Sequence, residues 1–457
     1  MKSKSVFVCT QCGAESPKWM GRCPSCGEWN SYVEERREEE KKRGADWWAR
    51  HSVGTEHVRP LREIAVGDAR RITTGEEEWD AVLGGGVVPG SVILLGGHPG
   101  IGKSTLCLQI ARRWPEGKVL YVTGEESAFQ VKMRAERLGF GHVDNIFIST
   151  ATDVGGILRT AHEMAPGLLI VDSVQTLKTP FLESAPGSVG QIRESTAELL
   201  RFAKQRHVPV ILIGHITKEG LIAGPKVLEH MVDVVLQLEG DSHYSYRLLR
   251  VIKNRYGSTE ALGIYRMGEG GMEPVANPSE FFMDMQRPTK SGSATGAMME
   301  GFRPLLVEAQ ALVTPSIYGT PQRSATGFDM RRLAMLLAVV EKRLGLVIGR
   351  QDVFLHMVGG IRVQDPGMDM AVLAALLSSL EEWPIPAGHC FAGEVGLTGE
   401  LRLVSHLHRR ISEAAKLGFH TIFIPALAAD KELSSPIEIV PIANVQELYR
   451  HLQKLQI

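Results

Sequence analysis

The stretch of this 457-residue chain that most constrains its fold is "GGHPGIGKST", residues 96–105. It contains the pattern Gly97-x4-Gly102-Lys103-Ser104, follows the apolar run "SVILL" and opens the helical pattern "STLCLQIARR". A glycine-rich loop between a strand and a helix lets backbone N–H groups surround phosphates, and the helix N-terminus adds partial positive charge. The pattern therefore predicts a nucleotide-binding P-loop within an α/β domain. An ordinary glycine turn is the alternative.

The loop and the carboxylate of a second strand predict the groups that bind ATP and Mg²⁺. Lys103 would reach the outer phosphates and assist catalysis, and the Ser104 hydroxyl would ligate Mg²⁺. Asp172 ends the apolar run "LLIVD", which is typical of a carboxylate in the Mg²⁺ shell. The predicted nucleotide-binding set is Gly97, Gly100, Gly102, Lys103, Ser104, Thr105 and Asp172.

Two adjacent glutamates follow the strand pattern "KVLYV", and one of them is expected to polarise the attacking water. Glu125 is the preferred catalytic residue because it lies closer to the strand end than Glu126. Both glutamates also fit the start of a helix, where negative charge is stabilised. The two interpretations are compatible, since only one glutamate needs to be catalytic.

The arrangement of apolar runs predicts the domain organisation. From residue 61 to 275, strand and helix patterns alternate, which predicts a parallel sheet with helices on both faces. The closely spaced runs "DVVLQLEG", "YRLLRVIK" and "ALGIYRM" predict an antiparallel extension of it. The turn-rich range 276–300 is interpreted as a linker, and 301–457 as a second α/β domain.

Four cysteines near the N-terminus predict a metal site. Cys9, Cys12, Cys23 and Cys26 form two C-x-x-C pairs separated by ten residues, a spacing typical of tetrahedral Zn²⁺ bound by four thiolates. Residues 1–32 are too short to form a core, so the metal would supply their folding free energy. A redox pair is the alternative. The charge-rich range 33–60 is interpreted as a linker or a solvated helix.

Overall composition limits the function classes. The formal net charge is −1, so nucleic-acid binding would need a local basic patch. No run of 18 or more apolar residues is present, so no membrane span is predicted. The N-terminus "MKSKSVFVCTQC" lacks the pattern of a secretory signal. A cytoplasmic protein is expected.

Two cations end one of the later strand patterns. Lys253 and Arg255 in "LLRVIKNRYGSTE" are two residues apart, so on a strand they would point to the same face. Gly257 then turns the chain. Two surface cations on a hairpin, without a functional role, are one interpretation of the pair.

Several of these motifs together resemble one family. "GGHPGIGKST", "YVTGEES", "LLIVDSVQT" and "KNRYG" resemble the RadA/Sms family of bacterial recombination and repair ATPases, over nearly the entire chain. The resemblance implies a RecA-like P-loop ATPase core, an N-terminal four-cysteine zinc finger and a C-terminal domain similar to the Lon protease domain. It also implies a DNA-dependent, helicase-like motor that forms a homo-hexamer and binds single-stranded and branched DNA. Such a motor promotes branch migration together with recombination proteins such as RecA.

The resemblance also implies roles for the cation pair and for two loops. The family pattern is Lys-Asn-Arg-Phe-Gly, with Tyr256 replacing Phe here, and it implies that Lys253 and Arg255 act catalytically at a neighbouring subunit's ATP. Loops at 178–193 and 215–226 would face a ring channel, although surface loops without such a role are the alternative. His215 is also a candidate γ-phosphate sensor. The candidate DNA-binding residues are Lys178, Arg193, Lys218 and Lys226.

The Lon-like resemblance of residues 301–457 does not extend to peptidase chemistry. The nucleophile position falls on Gly367 or Met368, neither of which has a hydroxyl, and the lysine position falls near Arg410. Arginine does not act as a neutral base, so the domain is interpreted as an inactive scaffold. Arg402, Arg409 and Arg410 are a candidate DNA-binding surface. Two other functions remain open for the whole chain: an ATP-dependent Lon-like protease and a KaiC-like ATPase switch.

Overall fold

The computed structural model describes residues 3–9, 13–25, 27–38, 71–215, 227–240, 246–275, 277–283, 290–316, 320–428 and 435–456. The chain divides into two compact units, residues 1–275 and 276–457. In the described part of the chain, no helix combines the length and the apolar character needed to cross a bilayer.

The N-terminal segment folds as a small antiparallel sheet. Its described strands are β1 (Ser3–Cys9), β2 (Glu15–Ser16) and β3 (Tyr32–Glu38), in the order β2-β1-β3. β1 and β3 pair over their full length, from Ser3↔Glu38 to Cys9↔Tyr32. The interpretation of residues 33–38 as part of a linker is therefore wrong. The backbone of β1 needs a hydrogen-bonding partner, and an edge strand tolerates charged side chains.

A second sheet forms the centre of the first unit, with nine strands among the residues described. In chain order they are β4 (Val92–Gly97), β5 (Val119–Thr123), β6 (Ile146–Ser149), β7 (Leu168–Asp172), β8 (Val210–His215), β9 (Val234–Glu239), β10 (Tyr246–Asn254), β11 (Leu262–Gly268) and β12 (Gly271–Pro274). Their order across the sheet is β12-β11-β10-β9-β4-β8-β7-β5-β6. Strands β4 to β9 are parallel, which confirms the predicted parallel sheet.

Helices cover both faces of this sheet, which explains why its central strands are apolar along their whole length. The helices of the described residues are α1 (Glu77–Val82), α2 (Lys103–Arg113), α3 (Ala128–Arg137), α4 (Val154–Met164), α5 (Val189–Arg206) and α6 (Val227–Met231). One core contains Trp79 of α1 and Leu106 of α2. A separate core on the other face contains Ile157 of α4 and Leu199 of α5.

The predicted antiparallel extension is correct for β10 to β12 but wrong for β9. β9 pairs in parallel with β4, from Ile93↔Val234 to Gly97↔Leu238. The physical reason is α6, which lies between β8 and β9 and returns the chain to the amino edge of the sheet. β10, β11 and β12 then follow as antiparallel neighbours.

The second unit contains its own mixed sheet, with the order β15-β16-β14-β13-β17-β20-β21 for the strands described. The strands of this unit are β13 (Ser293–Glu300), β14 (Arg303–Pro315), β15 (Arg323–Thr326), β16 (Gln351–Met357), β17 (His389–Phe391), β18 (Glu394–Val395), β19 (Leu401–Arg402), β20 (Thr421–Pro425) and β21 (Glu438–Ile442). Its helices are α7 (Met330–Val339), α8 (Asp369–Leu380), α9 (Leu407–Lys416) and α10 (Val445–Lys454).

The interpretation of 276–300 as a linker is wrong for its last eight residues. β13 pairs with β14 from Ser293↔Gln310 to Glu300↔Arg303. Its small residues allow close packing, since a Cβ on Gly296 would lie 2.7 Å from the Cβ of Ala371 in α8. The turn-like composition of this stretch therefore reflects tight helix–sheet packing.

A buried ion pair occupies the position of the Lon-like chemistry. Arg410 is fully buried, and its Nη1 donates to Asp365 Oδ2 and to the Ala297 carbonyl, both at 2.6 Å. A Cβ on Gly367 would lie 2.5 Å from Arg410 Nη1, so a larger residue at this position would have to displace the guanidinium group from its ion pair. The expectation that Arg410 contributes to a DNA-binding surface is wrong, because the side chain is inaccessible.

The other two arginines of that candidate surface are exposed but engaged within the unit. Arg402 forms an ion pair with Glu400 at 2.6 Å, and Arg409 Nη1 donates to the Phe302 carbonyl at 2.9 Å.

Arg410→Ala should destabilise the second unit strongly, because it leaves the Asp365 carboxylate buried without its cation. Removing one partner of a buried pair costs about 3–5 kcal/mol. Urea unfolding of the full-length variant, followed by hydrogen exchange of α8 and α9, measures the loss. Arg402→Ala removes a cation from a solvent-exposed pair and should leave the same transition unchanged. If Arg410→Ala and Arg402→Ala unfold at the same urea concentration, a structural role for Arg410 is contradicted.

Candidate nucleotide and metal sites

The predicted P-loop lies between β4 and α2. β4 ends at Gly97 and α2 begins at Lys103. Gly100 and Gly102 have φ angles of +76° and +115°, which favour glycine because other residues are strained there. A Cβ on Gly97 would lie 2.7 Å from the Leu238 carbonyl oxygen. Positive φ angles at Gly100 and Gly102, and the lack of space for a Cβ at Gly97, therefore favour glycine at these three positions.

The Lys103 side chain folds back into the loop. Only 4% of the residue is exposed, and its Nζ donates to the carbonyls of Gly97 at 2.7 Å and His98 at 2.9 Å. Burial lowers the pKa of Lys103, while the charges of Asp172 and Glu125 oppose this change. The ammonium group thus lies at the centre of the loop, where the outer phosphates of a nucleotide are expected.

The fold brings Asp172 to Ser104. Asp172 ends β7, which is separated from β4 by β8. Its buried carboxylate accepts hydrogen bonds from the hydroxyls of Ser104 and Tyr121, the latter at 2.7 Å. Burial raises the pKa of Asp172, and these two hydrogen bonds partly offset the rise. A hydroxyl beside a carboxylate is a ligand set suited to Mg²⁺, which prefers hard oxygen ligands.

The contacts of the two glutamates differ. Glu126 forms an ion pair with Arg134 of α3. Glu125 is exposed and accepts a hydrogen bond from the hydroxyl of Ser173, the residue after Asp172. The arrangement favours Glu125 as the residue available to orient water at this edge of the sheet.

A cavity of about 280 Å³ adjoins the first turn of α2. Of its lining residues only Thr105 belongs to the P-loop motif, and the others lie far from it in the chain, so sequence reasoning did not predict the cavity. Only the packing of α2, α3 and the β11–β12 hairpin brings them together. The lining residues are Thr105, Arg137, Leu138, Met267, Gly268, Glu269 and Gly271.

A larger cavity of about 730 Å³ belongs to the second unit. Its lining includes Glu308, His356, His389 and His420, but it has no glycine-rich loop at a helix N-terminus. It therefore does not compete with the P-loop as a nucleotide site.

The N-terminal sheet carries two equivalent cysteine turns. Gly13 N donates to the Cys9 carbonyl at 2.9 Å, and Gly27 N donates to the Cys23 carbonyl at 2.8 Å. Cys9 and Cys23 are buried in one cluster with Tyr32, and in the described part of the chain neither forms a disulfide. Repeated turns with buried thiols fit a thiolate metal site.

The other two predicted ligands, Cys12 and Cys26, lie outside the described residues. Accordingly, no group of three metal-ligating side chains occurs among the residues that the structure describes. Polar groups lie near both remaining sulfurs: Cys9 Sγ is 3.2 Å from Ser31 Oγ, and Cys23 Sγ is 3.7 Å from the Tyr32 hydroxyl. Hydroxyls in these positions are suited to stabilise thiolates.

Lys253 lies near the end of β10, as predicted, and binds the end of a neighbouring helix. Its Nζ donates to the carbonyls of Glu229 at 2.7 Å, His230 at 3.2 Å and Val232 at 2.9 Å. These carbonyls end α6, where a cation is stabilised. Burial lowers the pKa of Lys253, and the neighbouring charge of Arg255 adds to the effect.

Arg255 follows the last residue of β10 and approaches the same helix end. Its Nη1 lies 3.3 Å from Asp233 Oδ1, and its Nη2 lies 3.5 Å from the His230 carbonyl. The buried Asp233 also accepts from Lys204 Nζ at 2.7 Å and from Val92 N at 3.0 Å. The two cations therefore share one location, as the strand spacing predicted.

That location is the opposite edge of the sheet from the P-loop. β10 is antiparallel to β9, so Asn254 pairs with Val234, the first residue of β9. β9 is parallel to β4, whose carboxyl end leads into the P-loop. The Lys253 and Arg255 side chains, bound to the end of α6, therefore lie at the amino edge and do not face their own chain's P-loop.

The structure changes the interpretation of the candidate DNA-binding residues. Lys178 is exposed after β7, as expected for a loop. Arg193 belongs to α5, which begins at Val189, and its Nη1 lies 3.1 Å from Glu15 Oε1; the prediction of a loop up to 193 is wrong. Lys218 and Lys226 lie outside the described residues, as does the side chain of His215.

Gln191 organises the segment between β7 and α5, which the sequence analysis missed. Its Oε1 accepts from Thr179 N at 2.7 Å, and its Nε2 donates to the carbonyls of Leu182 and Ser184, both at 2.9 Å. A glutamine in a helical pattern gives no sign of such a role. The loop is thus tied to the first turn of α5.

Comparisons with known proteins agree with this geometry. Residues 7–34 match a family model described as a rubredoxin metal binding domain, and residues 58–221 match an AAA domain. The chain is 47% identical over 455 residues to DNA repair protein RadA of Bacillus subtilis, with 98% of both chains covered. This chain belongs to the RadA family of DNA repair proteins. A RadA protein of Listeria monocytogenes is 46% identical, with 98% of this chain and 97% of the relative covered.

Membership of the RadA family confirms the resemblance drawn from the motifs, including the P-loop ATPase core and the zinc-ribbon class of the N-terminal segment. Among solved structures, a KaiC-like protein from Pyrococcus horikoshii is similar over 45% of this chain and 99% of its own. The TM-score is 0.38 and the identity 21%, values too low to support a conclusion about function.

Tyr121→Phe should move the acid limb of ATP hydrolysis to higher pH. The variant loses the hydrogen bond that stabilises the Asp172 carboxylate, so the already raised pKa of Asp172 rises further and Mg²⁺ binding fails earlier as the pH falls. At high pH the rate should match wild type. The pH–rate profile of the full-length variant tests this.

Tyr265→Phe is the matched control, because Tyr265 is also buried but its hydroxyl has no hydrogen-bond partner among the described residues. Its acid limb should coincide with that of wild type. If both variants shift alike, or neither shifts, the role assigned to Tyr121 is wrong.

Freshly purified protein should contain one Zn²⁺ per chain, because four thiolates complete one tetrahedral site. Cys9→Ser and Cys26→Ser should each lose the metal, while Cys107→Ser, at a buried thiol of the ATPase core, should retain it. Elemental analysis measures the ratio. Protein without stoichiometric metal would refute the assignment.

Proposed function

We propose that this chain is a DNA-dependent ATPase motor that binds single-stranded DNA and promotes branch migration of recombination intermediates. The observation that carries the proposal is the convergence of Lys103, Ser104, Asp172 and Glu125 at the carboxyl edge of the parallel sheet. The substrate is ATP with Mg²⁺, and Zn²⁺ is a structural metal in the N-terminal sheet.

Each side chain of this edge has a distinct task. Lys103 and the loop N–H groups would hold the outer phosphates, while Ser104 and Asp172 would hold Mg²⁺. The metal would neutralise negative charge that develops on the phosphates during transfer. Glu125 orients the attacking water and accepts a hydrogen bond from it. The cavity beside Thr105 receives the nucleobase, since it adjoins the turn of α2 that follows the phosphate site.

Lys253 and Arg255 serve the ATP of a neighbouring copy. Their position at the amino edge supports this proposal, because a contribution to their own site would require crossing the sheet. To reach a phosphate, Lys253 must release the α6 carbonyls, which occupy its ammonium group in the isolated chain. A homo-hexameric ring satisfies the requirement for a neighbour at every site.

DNA binding is assigned to Lys178, and Lys218 and Lys226 belong to the same proposal from the sequence resemblance. Arg193 joins this set only if its ion pair with Glu15 breaks, which an exposed pair allows at little cost. Single-stranded and branched DNA, and recombination proteins such as RecA, are the proposed partners. Action on chromosomal DNA would place the chain in the cytoplasm.

The second unit is proposed as a scaffold similar to the Lon protease domain. The absence of a hydroxyl at both Gly367 and Met368 disfavours the alternative of an ATP-dependent protease. A KaiC-like switch would hydrolyse ATP without stimulation by DNA. Casein cleavage in the presence of ATP would support the protease instead.

The deciding experiment measures ATP turnover with and without single-stranded DNA, with the ring size determined on the same sample. DNA should stimulate the wild-type rate. Lys103→Ala should abolish turnover, whereas Lys118→Ala, at an exposed lysine outside the loop, should not. A Lys103→Ala rate within tenfold of wild type, a barrier change of about 1.4 kcal/mol, would overturn the site. If single-stranded DNA does not stimulate ATP turnover by the wild-type protein, the KaiC-like switch is the better explanation.

Arg255→Ala should bind ATP nearly normally but hydrolyse it poorly, since loss of such a cation costs about 10³–10⁵ in rate. Mixing Lys103→Ala with Arg255→Ala subunits creates interfaces that join an intact P-loop to an intact cation pair, and these should recover activity. If the subunits exchange and no activity returns, action in trans is refuted. If Arg255→Ala alone hydrolyses ATP at the wild-type rate, Lys253 and Arg255 are only surface cations on a hairpin.

A further inference from the structure

We infer that the exposed apolar face of α3 is a docking surface for the β10 end of a second copy of this chain. The α3 face consists of Phe129 and Met133, and its counterpart on the second copy is Ile252. The inference rests on the proposed action of Lys253 and Arg255 in trans, and it adds the apolar contacts that would hold the two copies together.

The α3 face exposes two large apolar side chains. Phe129 is 70% exposed and Met133 is 55% exposed. They are four residues apart, so they lie side by side on one helix surface. Val131 and Ala135, on the opposite surface of α3, are buried in the core. Adjacent apolar groups of this size in water favour contact with another surface.

The α3 face has a fixed position beside the nucleotide site. Ser127 caps α3 in a reciprocal arrangement with Gln130, and Glu125 lies only two residues before the cap. Arg134 of α3 also binds Glu126. The α3 face therefore begins four residues after Glu125, beside which a second copy would place its cations.

The β10 end offers an apolar side chain next to its cations. Ile252 is 46% exposed, although Val251 before it is buried. The register between β10 and β9 shifts between Val251 and Lys253, so Ile252 has no partner in the ladder. A bulge of this kind re-aims a side chain. Ile252 is adjacent to Lys253, so the α3 face is within its reach when Lys253 reaches the nucleotide.

The occupant is a second copy because the two surfaces complement each other and cannot meet within one chain. The β10 end lies at the amino edge of the sheet and Glu125 lies at the carboxyl edge. The cations of the β10 end complement the acidic nucleotide site with its phosphates. The two surfaces differ, so the contact is head-to-tail and repeats around a closed ring.

Photo-crosslinking tests this contact directly. Full-length protein carrying a benzophenone amino acid in place of Met133 is mixed with isotope-labelled wild type and irradiated with ATP present. We expect a cross-link between chains, with the captured peptide containing Ile252. Capture within the same chain, capture at another surface, or no dimeric product would overturn the inference.

Charge variants provide a second measurement. Met133→Asp and Ile252→Asp should each weaken self-association at least tenfold in sedimentation velocity. Combining Met133→Asp with Ile252→Lys in one chain places opposite charges across the contact and should restore association. Leu397→Asp, at an exposed leucine of the second unit, is the control and should associate like wild type. Unchanged association of both single variants would overturn the inference.

The two proposals fail in different ways. If wild type hydrolyses ATP with stimulation by DNA but the cross-link maps elsewhere, the docking surface is wrong and the motor function stands. If wild type has no ATPase activity but the cross-link joins residues 133 and 252 of different chains, the docking surface stands and the proposed function fails.

Discussion

The parallel pairing of β4 with β8, and of β8 with β7, is the constraint on which the nucleotide site depends. It places the carboxyl ends of β4 and β7 at one edge of the sheet, so that Ser104 reaches Asp172 across an intervening strand. Neither residue is near the other in the chain. The site is therefore a property of the sheet order, and helices on both faces maintain it by keeping the central strands buried.

The same sheet separates the groups of the proposed reaction. The phosphate loop lies at the carboxyl edge, whereas Lys253 and Arg255 lie at the amino edge, bound to the end of α6. Under the proposed mechanism, a single chain carries both halves of the catalytic site but cannot join them. This separation explains why hydrolysis would depend on assembly, and why the exposed surfaces near each half are relevant to it.

The second unit contains a buried ion pair between Arg410 and Asp365. The resemblance to the Lon protease domain places the peptidase lysine near Arg410 and the serine at Gly367 or Met368. Buried ion pairs contribute little net stability but are costly to break. The pair therefore acts as an internal contact that joins β13, α9 and the segment before α8.

The sequence by itself determined the local features: the P-loop, the apolar strands, the paired cysteines and the family. These depend on contiguous residues, such as the glycines needed at positive φ in the loop. It did not determine that β9 is parallel, that residues 293–300 form a strand, or that Arg410 is buried, because pairing direction and burial depend on distant partners. The position at the strand end favoured Glu125 over Glu126, and the tertiary structure added their different partners, Ser173 and Arg134. The tertiary structure also placed Lys253 and Arg255 at the amino edge of the sheet. The direction of a strand is set by its pairing with neighbouring strands, and the residues of that strand alone do not determine it.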